Sequence, residues 1–145
     1  MKNNIHFFSK KEFSTGDSVI NRIGIRGRQA MEFAALNLPI LPGFIINADV
    51  AAHLEKEDIT SVIKPYMKKC EKETGKVFGS EDNPLLVKIV ISPNLAIVHY
   101  PALHNFGLTL QTIPAFQKYV GDDFGFHEVL FLLVGFFEIE LKIAD

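Results

Sequence analysis

The chain has 145 residues, and its 15 Lys and Arg nearly balance its 17 Asp and Glu, which gives a formal net charge of -2. This balance excludes a nucleic-acid binder that works through bulk charge, and a hydrophobic content of 48% excludes wholesale disorder. The length predicts a single domain over residues 1–145. One cysteine, Cys70, excludes an internal disulfide, so a reducing compartment fits best.

Two features predict a cytoplasmic protein without a membrane segment. The residues after Met1 contain no long apolar run of the kind that secretory signals have. The most apolar stretch, 129–137, lies between Glu128 and Glu138, and it is much shorter than the roughly 20 residues that a membrane span needs.

The first quarter of the chain predicts a strand, a turn and a helix. Residues 6–13 predict a short strand or an arm, and Gly16-Asp17 predicts a turn. A helix is predicted from about Gly27 to Leu36, and Pro39 ends it because a proline disfavours helical geometry in the residue before it. One face of this helix collects residues at helical spacing: Ala30, Phe33, Ala34 and Asn37.

The next segment predicts a strand over residues 44–46, with Asn47 as the N-cap of a helix through Leu54. A longer helix follows, in which Pro65 is expected to cause a kink or a restart and Gly75 suits the position after the end. Its apolar residues recur at i, i+3, i+4, i+7, i+8 and i+11: Ile59, Val62, Ile63, Tyr66, Met67 and Cys70.

The second half predicts a hairpin after a polar turn. The run 85–91 is apolar except for Lys88, which indicates a buried strand. Residues 95–100 are its expected hairpin partner, and residues 101–107 are expected to be irregular.

Residues 112–145 predict an apolar helical tail that is interrupted near Gly121. Taken together, the elements predict an α+β fold, with α/β-like features, in which a small mixed sheet packs with helices.

Three stretches, in chain order, resemble one enzyme family. They are GIRGRQAME at 24–32 followed by LPILPGF at 38–44, then ETGKVFG at 73–79 leading into NPLLV at 83–87, and last NFGL at 105–108. The pyruvate, phosphate dikinase family has GGKGANLAEM, GLPVPPGF, FG-x-x-x-NPLLVSVRSG and LNLGL at the corresponding places. The chain therefore resembles the start of that family's nucleotide-binding domain over residues 23–108.

The resemblance implies the first subdomain of an ATP-grasp-type nucleotide-binding domain, with ATP and Mg²⁺ as cofactors. In the family, the lysine of GGKG and the arginine of VRSG contact ATP phosphates. The metal ligands, the phosphohistidine and the pyruvate site lie further along the family's chain. Because this sequence matches none of those later parts, the resemblance is to a fragment, and no phosphotransfer by this chain alone is expected.

The chain departs from the family at the positions that carry chemistry. The GGKG lysine falls on Arg26, which keeps a positive charge, and the glycine before it becomes Ile25. The arginine of VRSG falls on Val90, and Ile91 and Ser92 follow where the family has serine and glycine. ATP binding is therefore expected to be weak or lost.

The candidate nucleotide-binding residues are Gly24, Arg26, Gly27, Arg28 and Lys88. The first four are predicted at a turn before a helix, where backbone N–H groups and a guanidinium form an anion site. Lys88 would approach the same neighbourhood from the sheet. The alternative is that the two arginines and Lys88 are ordinary solvated side chains.

No catalytic residue and no metal site are predicted. A zinc site needs about four nitrogen or sulfur ligands, which His99 and His104 do not supply. His127 begins no H-E-x-x-H motif because residue 131 is Phe. Cys70, on the apolar face of its predicted helix, is expected to be a buried structural thiol.

The tail segment 129–137 would be apolar on every face of a helix, and such a helix is expected to be buried on every face. One interpretation is a central core helix within the monomer. The other is that a second copy, in a homodimer, or a partner protein covers it.

Three functional hypotheses follow. The leading one is a free-standing, degenerate and non-catalytic relative of the dikinase ATP-binding region, a pseudoenzyme that serves as a binding or assembly module. The first alternative is the nucleotide-binding part of a split dikinase, a phosphotransferase that another chain completes, with Arg26 holding phosphate. The second alternative is a small-molecule sensor that keeps a weakened nucleotide pocket.

Overall fold

The computed structural model describes residues 4–47, 50, 59–92 and 102–143. The described elements, in order, are β1 (Ile5–Phe8), α1 (Asp17–Ile20), α2 (Gly24–Ala35), β2 (Gly43–Ile46), α3 (Ile59–Thr74), β3 (Val87–Val90), β4 (Ala102–Phe106), α4 (Ile113–Val120) and α5 (Asp122–Ile143). They confirm an α+β fold. The described strands form two antiparallel pairs, whereas the sequence predicted a small mixed sheet. The chain divides into two compact units, Met1–Thr74 with Ser92–Ile97, and Gly75–Ile91 with Val98–Asp145.

In the first unit, β1 pairs with β2, so that Ile5 lies opposite Ile46 and Phe8 lies opposite Gly43. This pairing confirms the strands that were predicted near the N-terminus and over residues 44–46. A Cβ atom at Gly43 would lie 2.5 Å from Cζ of Phe8, so a larger residue there would force the Phe8 ring to move. The short helix α1 begins at Asp17, where a turn was predicted.

Helix α2 begins at Gly24, three residues before the predicted start. Its buried face is formed by Gly24, Gly27, Met31 and Ala34. The predicted face was wrong at Phe33, which is exposed. Two of the four buried positions are glycines, which have no apolar side chain, so this face could not be recognised from hydrophobic spacing.

Helix α3 confirms the strongest helical pattern of the sequence, with Cys70 buried on its inner face. The helix continues through Pro65 without the restart that was considered, and it is followed by Gly75 at φ +70°. Before it, Asn47 is buried, and its backbone carbonyl accepts a hydrogen bond from the N–H of Val50. Most of the helix predicted through Leu54 lies outside the described residues.

In the second unit, β3 pairs with β4, which places a strand in the segment 101–107 that was predicted to be irregular. The predicted partner, residues 95–100, lies outside the described residues. The prediction of a buried strand was also wrong, because Ile89 and Val90 are exposed. Strand β4 pairs along one edge of β3, and a strand paired at an edge does not cover the faces of its neighbour.

The core of the second unit is a cluster of Leu103, Leu108 and Leu132. Helices α4 and α5 are separated at Gly121, with φ +94°, as the sequence predicted. Leu133 and other apolar side chains of α5 are exposed, which contradicts the interpretation of the tail as a central core helix within the monomer. Within the described part of the chain, no helix combines the length and the apolar character that crossing a membrane requires.

Candidate functional site

Four of the five predicted nucleotide-binding residues lie within the first five positions of α2: Gly24, Arg26, Gly27 and Arg28. They were predicted at a turn before a helix and lie inside the helix instead. Lys88 lies on β3 and therefore belongs to the second compact unit.

Gly24 is required by a close contact with the main chain of Ser92. It adopts φ +69°, and a Cβ atom there would lie 1.7 Å from the Ser92 carbonyl oxygen. Two real atoms do not approach that closely, so no other residue type fits without a shift of the backbone. The space that the glycine leaves is filled by protein.

Ser92 also holds the first turn of α2 through its hydroxyl group. Its Oγ donates a hydrogen bond to the carbonyl oxygen of Ile23 at 2.8 Å and accepts one from the N–H of Gly27 at 2.9 Å. Serine is a favoured capping residue because its oxygen satisfies a backbone donor that the helix leaves open. One of the backbone N–H groups at this helix start is therefore already occupied.

Gly27 packs against β2. A Cβ atom there would lie 3.0 Å from Cδ1 of Ile45 and 3.1 Å from Cβ of Ile23, which is tighter than ordinary contact. The absence of a side chain at Gly27 therefore allows the helix to lie close to the strand. Both glycines of the Gly24–Gly27 motif thus make room for protein atoms.

The two arginines of the motif differ in direction. Arg26 and Arg28 are each half-buried, and they are two positions apart in α2, so their side chains do not leave the helix on the same face. The Nε atom of Arg28 is buried and has no hydrogen-bond partner within the described ranges. A buried donor without an acceptor costs about 1–3 kcal/mol, and an anion at this position would remove that cost.

Lys88 lies in a polar neighbourhood of its own unit. The pKa of His104 on β4 is lowered by burial and by the charge of Lys88. The charge of Glu128 on α5 offsets part of this effect. The same Glu128 carboxylate accepts a hydrogen bond from the side-chain amide of Asn105. His104 also packs against Phe131 with ring centroids 4.9 Å apart. Lys88 therefore lies near polar and charged side chains of its own unit, among them His104 and Glu128.

Val90 occupies the place at which the resemblance puts the family's phosphate-contacting arginine. It lies at the end of β3 and is 38% exposed. A hydrocarbon side chain cannot donate hydrogen bonds or balance a phosphate charge, so this position contributes nothing to anion binding.

Among the described residues, no group of three or more His, Cys, Asp or Glu could hold a metal ion. His99, which was considered together with His104, lies outside them. Cys70 is buried, and burial raises the pKa of its thiol, which matches a structural role rather than a nucleophilic one.

The residue that sequence reasoning missed is Ser92. The sequence pointed to it only as a departure from the family's VRSG pattern, and its partners Ile23 and Gly27 lie 69 and 65 positions away. Capping motifs are recognised in a sequence by short spacing, so a cap from this distance gives no local signal.

The arrangement can attract an anion through the positive end of α2 and the buried guanidinium nitrogen of Arg28. It also limits that attraction, since Gly24 and Gly27 are packed against protein and Ser92 holds the N–H of Gly27. Among the described residues, the side chains beside Gly24 and Gly27 are Ser92, Ile45 and Ile23, and none of these is a carboxylate, an imidazole or an amine.

No family model matches the chain. Among individual proteins, it is 47% identical over 143 residues to a pyruvate, phosphate dikinase of Treponema pallidum, covering 97% of the chain and 16% of that protein. It is 26% identical over 142 residues to the dikinase of Entamoeba histolytica, covering 92% of the chain and 16% of that protein. It is 29% identical over 109 residues to the dikinase of Rhizobium meliloti, covering 70% of the chain and 12% of that protein.

The chain spans about one sixth of the length of the first two of these relatives. Nearly all of its own residues take part in the strongest of the three matches. This extent is greater than residues 23–108, over which motifs alone carried the resemblance. By sequence, the chain is thus a member of the pyruvate, phosphate dikinase family that corresponds to a limited segment of those proteins.

Proposed function

We propose that this chain is a non-catalytic relative of the nucleotide-binding region of pyruvate, phosphate dikinase and serves as a binding or assembly module. In this proposal the dikinase framework is retained for packing, and the groups that held ATP phosphates are weakened or lost.

The observation that carries the proposal is the packing of the Gly24–Gly27 motif. The space beside Gly24 is filled by the Ser92 main chain, and the space beside Gly27 is filled by Ile45 and Ile23. A glycine motif that cradles phosphate needs its backbone open to the ligand. The replacement of the family's arginine by Val90 supports the same conclusion, because phosphoryl transfer depends on positioned cations.

A second candidate is the nucleotide-binding part of a dikinase that another chain completes. Two observations favour it: the 47% identity to a protein named pyruvate, phosphate dikinase, and the buried Nε of Arg28, for which the described part of the chain supplies no acceptor. In this candidate, an ATP phosphate lies at the start of α2, where it accepts hydrogen bonds from Arg28, and Arg26 adds positive charge. Mg²⁺ would accompany ATP and take its remaining ligands from the completing chain.

Isothermal titration of the full chain with ATP and Mg²⁺ separates the two candidates. The non-catalytic proposal predicts no saturable heat below a Kd of about 1 mM, which corresponds to about -4 kcal/mol. Arg28→Ala and Arg26→Ala remove the two cations, and Arg22→Ala removes an exposed arginine that donates to Asn4 as a matched control.

Saturable binding by the wild type, weakened at least tenfold by Arg28→Ala or Arg26→Ala and unchanged by Arg22→Ala, would replace the first candidate with the second. Absence of binding in all four proteins supports the non-catalytic module.

A further inference from the structure

The two faces of the β1–β2 pair meet different helices. Phe7 and Phe44 are directly opposite each other, so their side chains share one face. Lys69 Nζ of α3 lies 4.8 Å from the ring centroid of Phe7, and the ring centroid of Tyr66 of α3 lies 5.5 Å from that of Phe44. One face of the pair is therefore covered by α3.

His6 lies on the other face, which meets α2. Successive side chains of a strand point to opposite faces, so His6 and its cross-strand partner Ile45 point away from α3. Cδ1 of Ile45 lies 3.0 Å from the position that a Cβ atom on Gly27 would take, which places the start of α2 over this face. Within β1 and β2, His6 is the only residue whose side chain titrates.

The charge that acts on His6 is positive. Arg22, just before α2, donates a hydrogen bond to Oδ1 of Asn4. The carbonyl of Asn4 accepts from the N–H of Asn47, which continues the strand pairing, so the Asn4 side chain lies on the same face as His6, two residues on. The start of α2 adds a partial positive charge of its own. The titratable side chains of α2 are two half-buried arginines and one exposed glutamate: Arg26, Arg28 and Glu32.

We propose that His6 is an acid-sensitive contact, whose protonation releases the start of α2 from the β1–β2 pair. The protonated imidazole would add a positive charge beside the Arg22 guanidinium and the positive end of α2, in an interface from which water is partly excluded. Like charges repel more strongly there than in bulk water. The neutral imidazole has no such cost, so the helix stays docked while His6 is uncharged.

The direction of the pH effect follows from the surroundings of His6. Burial and the charge of Arg22 lower its pKa from 6.5, and a hydrogen bond with the Asn47 side chain opposes them. In the released state the imidazole is solvated and its pKa returns toward 6.5. Docking of α2 is therefore complete above that pH and weakens as the pH falls through the lowered pKa.

The opposite face of the strand pair has no comparable response. Its strand side chains are apolar and include the buried Ile5 and Phe7, which do not titrate. We therefore expect β1 and β2 to stay on α3 when the start of α2 is released. The inference goes beyond the proposed function, because it holds whether or not ATP binds.

Amide hydrogen exchange of the full chain at about pH 7.5 and about pH 5, corrected for the intrinsic exchange rate, tests the proposal. Protection of the α2 amides should fall at least threefold more than protection of the α3 amides. His6→Gln should abolish this difference. His104→Gln makes the same change at a histidine of the second unit and should leave the difference in place. An equal fall in α2 and α3, or an unchanged difference in His6→Gln, overturns the proposal.

Variants of Arg22 test the charge without altering His6. Arg22→Gln should raise the pKa of His6, followed by the NMR signals of its imidazole, and should make the acid-induced loss of α2 protection smaller. Arg22→Lys keeps the charge and should respond as the wild type does. A His6 pKa that is equal in Arg22→Gln and in the wild type would contradict the proposal, even if His6→Gln does not fold.

Discussion

The start of α2 and the exposed side of α5 differ in what surrounds them. The first carries the glycine motif of a known enzyme family, and protein atoms fill the space beside both of its glycines. The second carries no motif, and it leaves a row of apolar side chains in solvent. A glycine motif therefore does not by itself indicate open space for a ligand, and apolar surface can be exposed where the sequence carries no motif.

The strongest test of the packed motif is Gly24→Ala. We expect a loss of at least about 4 kcal/mol in the free energy of unfolding, because the added methyl group would overlap the Ser92 carbonyl. Gly75→Ala is the matched control, since Gly75 has φ +70° and open space around its Cα, so only the backbone cost of about 1–2 kcal/mol applies. Urea denaturation measures both, and equal losses would show that the contact with Ser92 is not what requires the glycine.

The two faces of α5 are distinguished by Leu132→Ala and Leu133→Ala. Leu132 lies in the core, so its truncation should cost about 2–4 kcal/mol, whereas truncation of the 47% exposed Leu133 should cost under about 1 kcal/mol. Thermal or urea denaturation at low protein concentration gives both values. Similar losses for the two variants would contradict the assignment of inner and outer faces.

Ser92→Ala removes the hydroxyl group that joins Ile23 to Gly27. The expected loss is about 1–2 kcal/mol, as for a helix cap, because the N–H of Gly27 and the carbonyl of Ile23 each lose a partner. Ser18→Ala changes an exposed serine in α1 and should stay within about 0.5 kcal/mol of the wild type. If urea denaturation gives Ser92→Ala the same free energy of unfolding as the wild type, the cap contributes nothing to stability.

The smallest effect is expected from the polar neighbourhood of Lys88. Burial and the charge of Lys88 lower the pKa of His104 below its ordinary value of 6.5, against the opposing charge of Glu128. The unfolded chain therefore binds a proton more readily, so the stabilising contribution is complete above pH 6.5 and decreases as the pH falls through the folded pKa.

His104→Gln should flatten the pH dependence of stability between about pH 7.5 and pH 5, measured by urea denaturation at several pH values. His6, whose pKa is also lowered by burial, should retain a slope of the same sign. An unchanged slope in His104→Gln would contradict the assigned environment.

Local signals in the sequence predicted much of the fold. The apolar spacing from Ile59 to Cys70 predicted α3, Gly75 marked its end, and Gly121 marked the boundary between α4 and α5. Each of these signals lies within a few residues of the structure that it determines, so no tertiary information is needed to interpret it.

Interactions between distant residues produced the errors. Strand β4 is defined by pairing with β3, which its own composition does not indicate, and β3 is exposed because no described element covers it. At the candidate site, the resemblance to the family's GGKG motif predicted the residues Gly24 and Gly27 but not what fills the space beside them. Ser92, Ile45 and Ile23 provide those contacts, and Ser92 lies at least 65 positions from its hydrogen-bond partners.

The most direct measurement of whether the Gly24–Gly27 motif is packed rather than ligand-binding is an amide ¹H–¹⁵N spectrum of the full chain, titrated with ATP and Mg²⁺ to about 5 mM. The N–H of Gly27 is bonded to Ser92, so we expect its signal, and that of Gly24, to stay in place. A shift of the Gly27 signal that saturates with a half-point below about 1 mM, and that Arg28→Ala abolishes, would contradict this conclusion and indicate a phosphate site at the start of α2.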